Sequence, residues 1–252
     1  MKRGEITNFF GLIVYGPLRQ GKSSYAIQLL AETYGILKNP EWKKALNLEL
    51  GDWAKWVQSE TRPDWGAWKE HMVFPPQDFV RKTLESNEKQ RCLLVWDDAG
   101  FWLSHYTYKN PFIASVSEYM NVIASDWASV IFTAPNPKWL ITHVRGLPGG
   151  HTGRVSKMSG DRYHRHERYV TVYEGWMSPD MKSGGVSTRL RDEFNVFLPN
   201  DVFAEYDQYR RAFALVAKEH MRDTLKCLDR KYGKDSAENV KKEFVEGVGI
   251  EP

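Results

Sequence analysis

The chain has 252 residues, 42% hydrophobic and 27% charged, a balance that suits a folded globular protein and excludes general disorder. Its formal net charge of +3 is too small to identify a nucleic-acid partner, so the distribution of charge matters more than its sum. Cys92 and Cys227 are too few for a disulfide framework, and with no predicted signal peptide or membrane span they lead us to expect a soluble cytoplasmic protein.

The first 145 residues alternate predicted strands and helices. Apolar runs bounded by turn residues predict strands over 9–15, 71–74, 92–96 and 130–132. Helical periodicity predicts helices over 23–37, 41–60, 77–86, 111–127 and 138–144. The run over 92–96 is continuously apolar, which is typical of a strand buried on both faces. We therefore predict an α/β fold with a mostly parallel sheet flanked by helices.

The character of the sequence changes after Arg145. Residues 147–200 are a β-rich basic segment with strand-like stretches over 154–159, 165–173 and 195–198. A regular apolar stripe then predicts one long helix over 201–232, and the charged residues 233–252 are expected to form a tail. We predict a single domain over 1–232 that includes the basic segment and the helix.

An eight-residue motif links the first strand to the first helix. Residues 16–23 match the P-loop pattern G-x-x-x-x-G-K-[ST], whose glycines let backbone amides converge on phosphate oxygens at a helix N-terminus. Lys22 is expected to reach the β- and γ-phosphates, and Ser23 to ligate Mg²⁺. A P-loop NTPase fold that binds ATP, or alternatively GTP, follows from this motif. The predicted nucleotide contacts are Gly16, Pro17, Leu18, Arg19, Gln20, Gly21, Lys22, Ser23 and Ser24.

A second part of the same site is predicted where the strand over 92–96 ends. Its apolar residues lead directly into Asp97 and Asp98, an arrangement that delivers a carboxylate beside the P-loop. We predict that Asp97 holds Mg²⁺ through a bound water and that Asp98 polarises the attacking water as a general base. Adjacent residues point to opposite faces of a strand, so two separate roles suit the pair. The alternative for Asp98 is that it only caps the following turn.

Polar residues after the third strand complete the predicted site. Ligands of open α/β sheets bind at the carboxyl ends of strands, where Thr133 and Asn136 lie. Either side chain suits a contact with the γ-phosphate or the attacking water, and an ordinary turn is the alternative. Arg145 ends the next predicted helix, where it either complements the helix dipole or acts as an arginine finger toward a neighbouring subunit.

These motifs resemble those of AAA+ and related additional-strand P-loop ATPases. The run Asp97-Asp98-Ala99-Gly100 after an apolar strand is similar to that of the bacterial replication initiator DnaA and the helicase loader DnaC. The small size and the start of the chain are similar to ATPases of archaeal viruses and plasmids of the fusellovirus kind. The resemblance covers residues 9–146 and implies oligomeric, ATP-dependent assembly on DNA. The helical lid of AAA+ proteins, with its sensor arginine, is not evident in this sequence.

Cations of the β-rich segment predict a DNA-contacting surface. Basic side chains outnumber acidic ones there and are interleaved with aromatic rings, a mixture that suits binding along a phosphate backbone. The predicted DNA contacts are Arg154, Lys157, Arg162, Arg165 and Arg168. A solvated hairpin or a subunit contact would have a similar composition and is the alternative.

The leading hypothesis is a Mg²⁺-dependent, oligomeric ATPase that acts on DNA in the manner of replication initiators or helicase loaders. One alternative is an ATPase of virus-particle packaging or morphogenesis, in which the C-terminal helix contacts a particle or partner. Another is a small-molecule kinase, which would share the P-loop. The sequence shows neither the arginine-bearing lid nor the acceptor pocket typical of such kinases.

Overall fold

The computed structural model describes residues 9–85, 90–104, 110–147, 150–158, 166–177 and 184–232. Within these ranges the predicted α/β class is confirmed, because a mostly parallel seven-stranded sheet is flanked by helices. The chain divides into two compact units, residues 1–202 and 203–252, and the strands that the structure describes belong to the first. The boundary predicted from the sequence was at residue 232, and the predicted tail lies outside the described residues.

The sheet consists of a parallel part and an antiparallel part. Its strands are β1 (Phe10–Tyr15), β2 (Met72–Val73), β3 (Arg91–Trp96), β4 (Trp127–Ala134), β5 (Gly150–Lys157), β6 (Glu167–Met177) and β7 (Gly184–Asn195). Their order is β2-β3-β4-β1-β5-β6-β7. The first five strands in this order pair in parallel, whereas β6 and β7 pair antiparallel. Strand β4 therefore separates β1 from β3, as the resemblance to additional-strand ATPases implies.

Nine helices are present in the described residues. They are α1 (Lys22–Lys38), α2 (Trp42–Ala45), α3 (Leu50–Glu60), α4 (Ala67–His71), α5 (Pro76–Leu84), α6 (Ala99–Trp102), α7 (Pro111–Tyr119), α8 (Thr142–Arg145) and α9 (Asn200–Tyr232). Two 3₁₀ turns, Ile123–Ser125 and Pro137–Trp139, precede β4 and α8. None of these helices is long and apolar enough to cross a membrane.

The apolar runs of β3 and β4 form the centre of the core. Leu94, Trp96 and Phe132 are fully buried, and each such side chain contributes about 1.5–3 kcal/mol by leaving water. The indole N–H of Trp96 donates to the carbonyl oxygen of Phe74 at 2.7 Å, so its polar atom is satisfied. The ring of Phe79 stacks on Trp96 with centroids 4.5 Å apart. Burial on both faces explains why residues 93–96 and 130–132 are continuously apolar.

Several predicted helices are shorter than expected. The helix predicted over 41–60 is two helices, α2 and α3, because the backbone becomes extended at Glu49, with φ −63° and ψ 154°. No residue of α3 is buried, so packing does not hold it in line with α2. The helix predicted over 111–127 ends at Tyr119, since Trp127 already belongs to β4.

The remaining differences concern short or polar segments. The helix predicted over 138–144 is a 3₁₀ turn followed by α8, and α4 forms where no helix is predicted. Strands β5 and β6 lie near their predicted positions, but the strand predicted over 195–198 is wrong. The third strand is β7, a polar stretch that forms a strand because it pairs along β6.

Candidate nucleotide site

The loop between β1 and α1 is tightly curled. Gly16, Arg19 and Gly21 have φ angles of 153°, 60° and 92°, in the region that favours glycine. A Cβ atom at Gly16 would lie 2.9 Å from the carbonyl oxygen of Val155, and one at Gly21 would lie 2.6 Å from Cγ1 of Val196. Both glycines of the motif are therefore required by close packing as well as by backbone conformation.

Lys22 begins α1, and its side chain folds back over the curled loop. Its Nζ donates to the carbonyl oxygens of Gly16 and Pro17, both at 2.9 Å, and the residue is only 7% exposed. Helix α1 has no side-chain cap and no acidic residue in its first turn. The positive end of the helix and the lysine ammonium thus both favour an anion at this loop.

A chain of hydrogen bonds joins α1 to the carboxyl ends of β3 and β4. Ser23 Oγ donates to Asp97 Oδ1 at 3.0 Å, and Thr133 Oγ1 donates to the same oxygen at 2.5 Å. The backbone N–H of Asp98 donates to Thr133 Oγ1 at 2.8 Å. Asp97 and Thr133 are completely buried, so these bonds fix the orientation of the Asp97 carboxylate.

The Ser23 and Asp97 side chains fit a Mg²⁺ ion that is bound together with nucleotide phosphates. Hydroxyl and carboxylate oxygens are the hard ligands that Mg²⁺ prefers, and the ion usually takes only one or two protein groups. Ser23 directly follows the P-loop lysine, and its Oγ lies 3.0 Å from Asp97 Oδ1. The two predicted metal ligands are therefore brought together beside the phosphate loop.

Asp98 turns the chain from β3 into α6. Its φ of 50° places it in the left-handed region, which aspartate tolerates better than most residues. Asp98 occupies the N-cap position of α6, yet its side chain makes no capping hydrogen bond. Its predicted role as a general base stays a prediction. Non-glycine residues in this backbone region cluster at functional sites.

The other predicted site residues lie in different settings. Thr133 is buried and bonds both aspartates, whereas Asn136 is exposed and its Oδ1 accepts from the backbone N–H of Lys138 at 2.9 Å. Arg145 is exposed at the end of α8, where its Nη2 donates to Thr142 Oγ1 at 3.2 Å. The structure thus brings Thr133 into the hydrogen-bonded site and leaves Asn136 and Arg145 exposed.

Sequence reasoning missed the packing of the segment after β7 on the P-loop. Phe194 and Val196 are the close neighbours of a Cβ at Gly21, at 3.4 and 2.6 Å. Gln28 Nε2 donates to the carbonyl oxygen of Asn195 at 2.6 Å, which holds the same segment against α1. The only signal in the sequence was a cluster of apolar residues at the end of a polar stretch.

A polar cluster also ties α1 to β7. The Tyr25 hydroxyl donates to Asp192 Oδ2 at 2.9 Å. Burial, reinforced by the charge and hydrogen bond of Asp192, raises the pKa of Tyr25 well above its usual value. Burial and the charge of Asp192 also raise the pKa of Glu32. Tyr25 therefore stays protonated and keeps donating at neutral pH.

The predicted DNA contacts differ in their exposure. Arg154 and Lys157 are exposed on β5. Arg168 is only 7% exposed and its Nη1 donates to the carbonyl oxygen of Glu167 at 2.7 Å, so it offers little surface for the predicted contact with DNA. Arg162 and Arg165 lie outside the described residues.

The strand order and the curled G-x-x-x-x-G-K-S loop define the fold as that of a P-loop NTPase. No protein-family model matches the chain. The chain is 24% identical over 232 residues to the uncharacterized protein B-251 of Sulfolobus spindle-shape virus 1. The alignment covers 86% of this chain and 80% of the viral protein. This relative agrees with the resemblance to proteins of archaeal viruses, while the resemblance to DnaA and DnaC stays a prediction.

Two solved structures are similar to this chain at low sequence identity. The N-terminal domain of zonular occludens toxin from Neisseria meningitidis has a TM-score of 0.36 and 12% identity, covering 78% of this chain and 98% of that domain. A KaiC-like protein from Pyrococcus horikoshii has a TM-score of 0.32 and 12% identity, covering 72% of this chain and 89% of that protein.

Proposed function

We propose that the chain is a Mg²⁺-dependent, oligomeric ATPase that couples ATP hydrolysis to assembly or remodelling on DNA. The observation that carries the ATPase assignment is the hydrogen bond of 3.0 Å between Ser23 Oγ and Asp97 Oδ1. It joins the helix after the P-loop to the acidic end of β3, two elements 74 residues apart in sequence. Phosphate-binding and metal-binding groups must meet in this way in a P-loop enzyme.

Each residue of the site has a role that follows from its chemistry. Lys22 and the first turn of α1 bind the triphosphate, since both carry positive charge toward the loop. Ser23 and Asp97 hold Mg²⁺, which neutralises negative charge on the phosphates when bound. Asp98 takes a proton from the attacking water. Thr133 is a positioning residue, because its hydroxyl joins the Asp97 carboxylate to the backbone of Asp98.

The exposed residues suit contacts outside the phosphate site. Asn136 lies after β4, at the sheet edge that carries Asp97, and remains suited to contact with the γ-phosphate or water. Arg145 is exposed and carries a permanent charge, so in an oligomer it would serve as an arginine finger toward a neighbouring subunit. Arg154 and Lys157 flank Val155, whose carbonyl oxygen packs on Gly16. DNA bound there would lie on the strand next to the P-loop.

The ATPase is tested by measuring phosphate release from Mg²⁺-ATP, alone and with single- or double-stranded DNA. We expect DNA to stimulate turnover, and Lys22→Ala and Asp98→Asn to abolish it. Asp98→Asn should still bind ATP, because it removes the base and leaves the phosphate-binding groups intact. Turnover indifferent to DNA would contradict the coupling and favour a particle-assembly ATPase, or a kinase if a small acceptor becomes phosphorylated. Absence of both ATP binding and turnover would contradict the ATPase itself.

The DNA surface is tested by charge reversal at Arg154 and Lys157. If a residue binds a phosphate, reversing its charge should reduce the magnitude of the slope of the logarithm of the binding constant against the logarithm of salt concentration by about one. Lys55→Glu on α3 is the matched control, since it reverses an exposed charge elsewhere. Equal DNA affinity of the double variant and the control would contradict the proposed DNA-binding surface.

A further inference from the structure

We propose that the neighbouring rings of His166 and Phe197 are the platform for the base of the nucleotide. The inference rests on the proposed binding of ATP at the P-loop and adds a part of that site. Neither ring belongs to the P-loop motif or to the acidic strand end. Both lie in the first compact unit of the chain.

The platform adjoins the phosphate loop through Val196. This residue packs on Gly21, where a Cβ atom would lie 2.6 Å from its Cγ1. Its backbone N–H donates to the carbonyl oxygen of His166 at 2.9 Å, which joins the segment after β7 to the residue before β6. Phe197 follows directly. A ligand held by its phosphates at the loop therefore has this segment as its immediate neighbour.

The backbone that carries the platform is well anchored. The N–H of Phe197 donates to Asn195 Oδ1 at 2.9 Å. Gln28 on α1 donates to the carbonyl oxygen of Asn195 at 2.6 Å and to that of Phe197 at 3.5 Å. The segment is thus held to the helix that follows the P-loop, and a ring attached to it is presented at a fixed distance from the phosphates.

The two rings lie against each other in a tilted arrangement and form one aromatic surface. Their centroids are 4.0 Å apart with an interplanar angle of 39°, and Phe197 is 61% exposed. Phe197 thus offers an exposed aromatic ring beside the polar loop, and ligand sites combine aromatic side chains with a few polar groups in this way. A purine offers two large π-faces, and stacking on aromatic rings accepts any base. The platform would therefore bind the base of ATP or GTP without choosing between them.

The test compares binding of ATP with binding of inorganic tripolyphosphate, which has no base. Phe197→Ala and Phe197→Leu should weaken ATP binding about five- to tenfold and leave tripolyphosphate binding unchanged. Phe197→Tyr keeps an aromatic face and should bind ATP like the wild type. Phe112→Ala, which removes an exposed phenyl ring on α7, is the matched control and should change neither affinity. Thermal unfolding verifies that each variant is folded.

The outcomes separate this inference from the proposed function. Unchanged ATP affinity in Phe197→Ala would overturn the platform while leaving the nucleotide site intact. An equal loss for ATP and tripolyphosphate would also overturn it, because the segment would then act only by shaping the P-loop. Lys22→Ala should weaken both ligands. A wild-type protein that binds neither ligand would overturn the proposed function together with this inference.

Discussion

The parallel part of the sheet and the antiparallel hairpin β6–β7 are stabilised by different interactions. Strands β3 and β4 lie in the core, and their carboxyl ends carry Asp97 and Thr133 at the candidate site. Strand β7 is exposed along most of its length, including the apolar residues Val186 and Leu190. It is held by backbone pairing to β6 and by surface contacts, such as that of Arg191, whose Cζ lies 3.8 Å from the centroid of the Tyr169 ring.

The two parts of the sheet therefore have different roles: the parallel part carries the proposed chemical groups, and the hairpin supports them. The groups proposed to act on phosphate, metal and water all belong to the parallel part. Among the described residues, the end of β7 and the segment just after it contact the P-loop, where Val196 packs on Gly21. We therefore expect large effects from substitutions in the parallel part and small ones from surface positions of the hairpin.

The largest effect is expected at Asp97. Asp97→Asn removes the charge that would hold Mg²⁺, so kcat for ATP hydrolysis should fall about 100-fold or more. The measurement is a Mg²⁺ titration of turnover, with Asp52→Asn on the exposed helix α3 as the control. Full activity of Asp97→Asn at ordinary Mg²⁺ concentrations would show that Asp97 does not hold the metal ion.

A smaller loss is expected at Thr133. Thr133→Val keeps the shape of the side chain but leaves the Asp98 N–H and one Asp97 oxygen without this partner. Turnover should fall about 10- to 100-fold, as for residues that orient metal ligands. The free energy of unfolding should fall by about 1–3 kcal/mol because buried polar groups lose a hydrogen bond. Urea denaturation and turnover measure the two effects, and Thr133→Ser should restore both.

The parallel part should also carry a pH dependence that originates at His71. The ring of His71 stacks on Tyr34 with centroids 3.7 Å apart. Burial, assisted by the positive charges of Lys82 and Arg91, lowers the pKa of His71 to about 4. The unfolded chain binds a proton near pH 6.5, so stability is complete above that pH and declines as pH falls toward 4.

Because of this histidine, the free energy of unfolding should fall by about 2 kcal/mol from pH 7 to pH 5. His71→Phe keeps a ring against Tyr34 and should remove that loss, which urea denaturation at the two pH values measures. His143→Phe, at an exposed position on α8, is the control for replacing a histidine by phenylalanine. An undiminished loss in His71→Phe would assign the effect to other groups.

The smallest effect is expected in the hairpin. Arg189 on β7 forms an ion pair with Glu174 on β6, and the arginine side chain is 59% exposed. Arg189→Ala should therefore change the free energy of unfolding by less than about 1 kcal/mol, and less still at high salt. A loss comparable to that of Thr133→Val in urea denaturation would show that the hairpin is not merely a support.

Local chemistry made part of the site predictable. The P-loop could be read from spacing alone, because its glycines, lysine and serine act within eight consecutive residues. The strand that ends at Asp97 was equally plain, since burial on both faces demands a continuous apolar run. The mostly parallel sheet followed from the alternation of such runs with helical periodicity.

Tertiary structure decided the rest. Whether Thr133 or Asn136 joins the aspartates depends on a bond between strand ends 36 residues apart, and no local pattern encodes it. The burial of Arg168 depends likewise on packing between segments distant in sequence. Strand β7 is polar and acquires its form from its partner strand, which places Val196 on Gly21. Periodicity records which faces of an element are buried, whereas the identity of the neighbour emerges only when distant segments pack together.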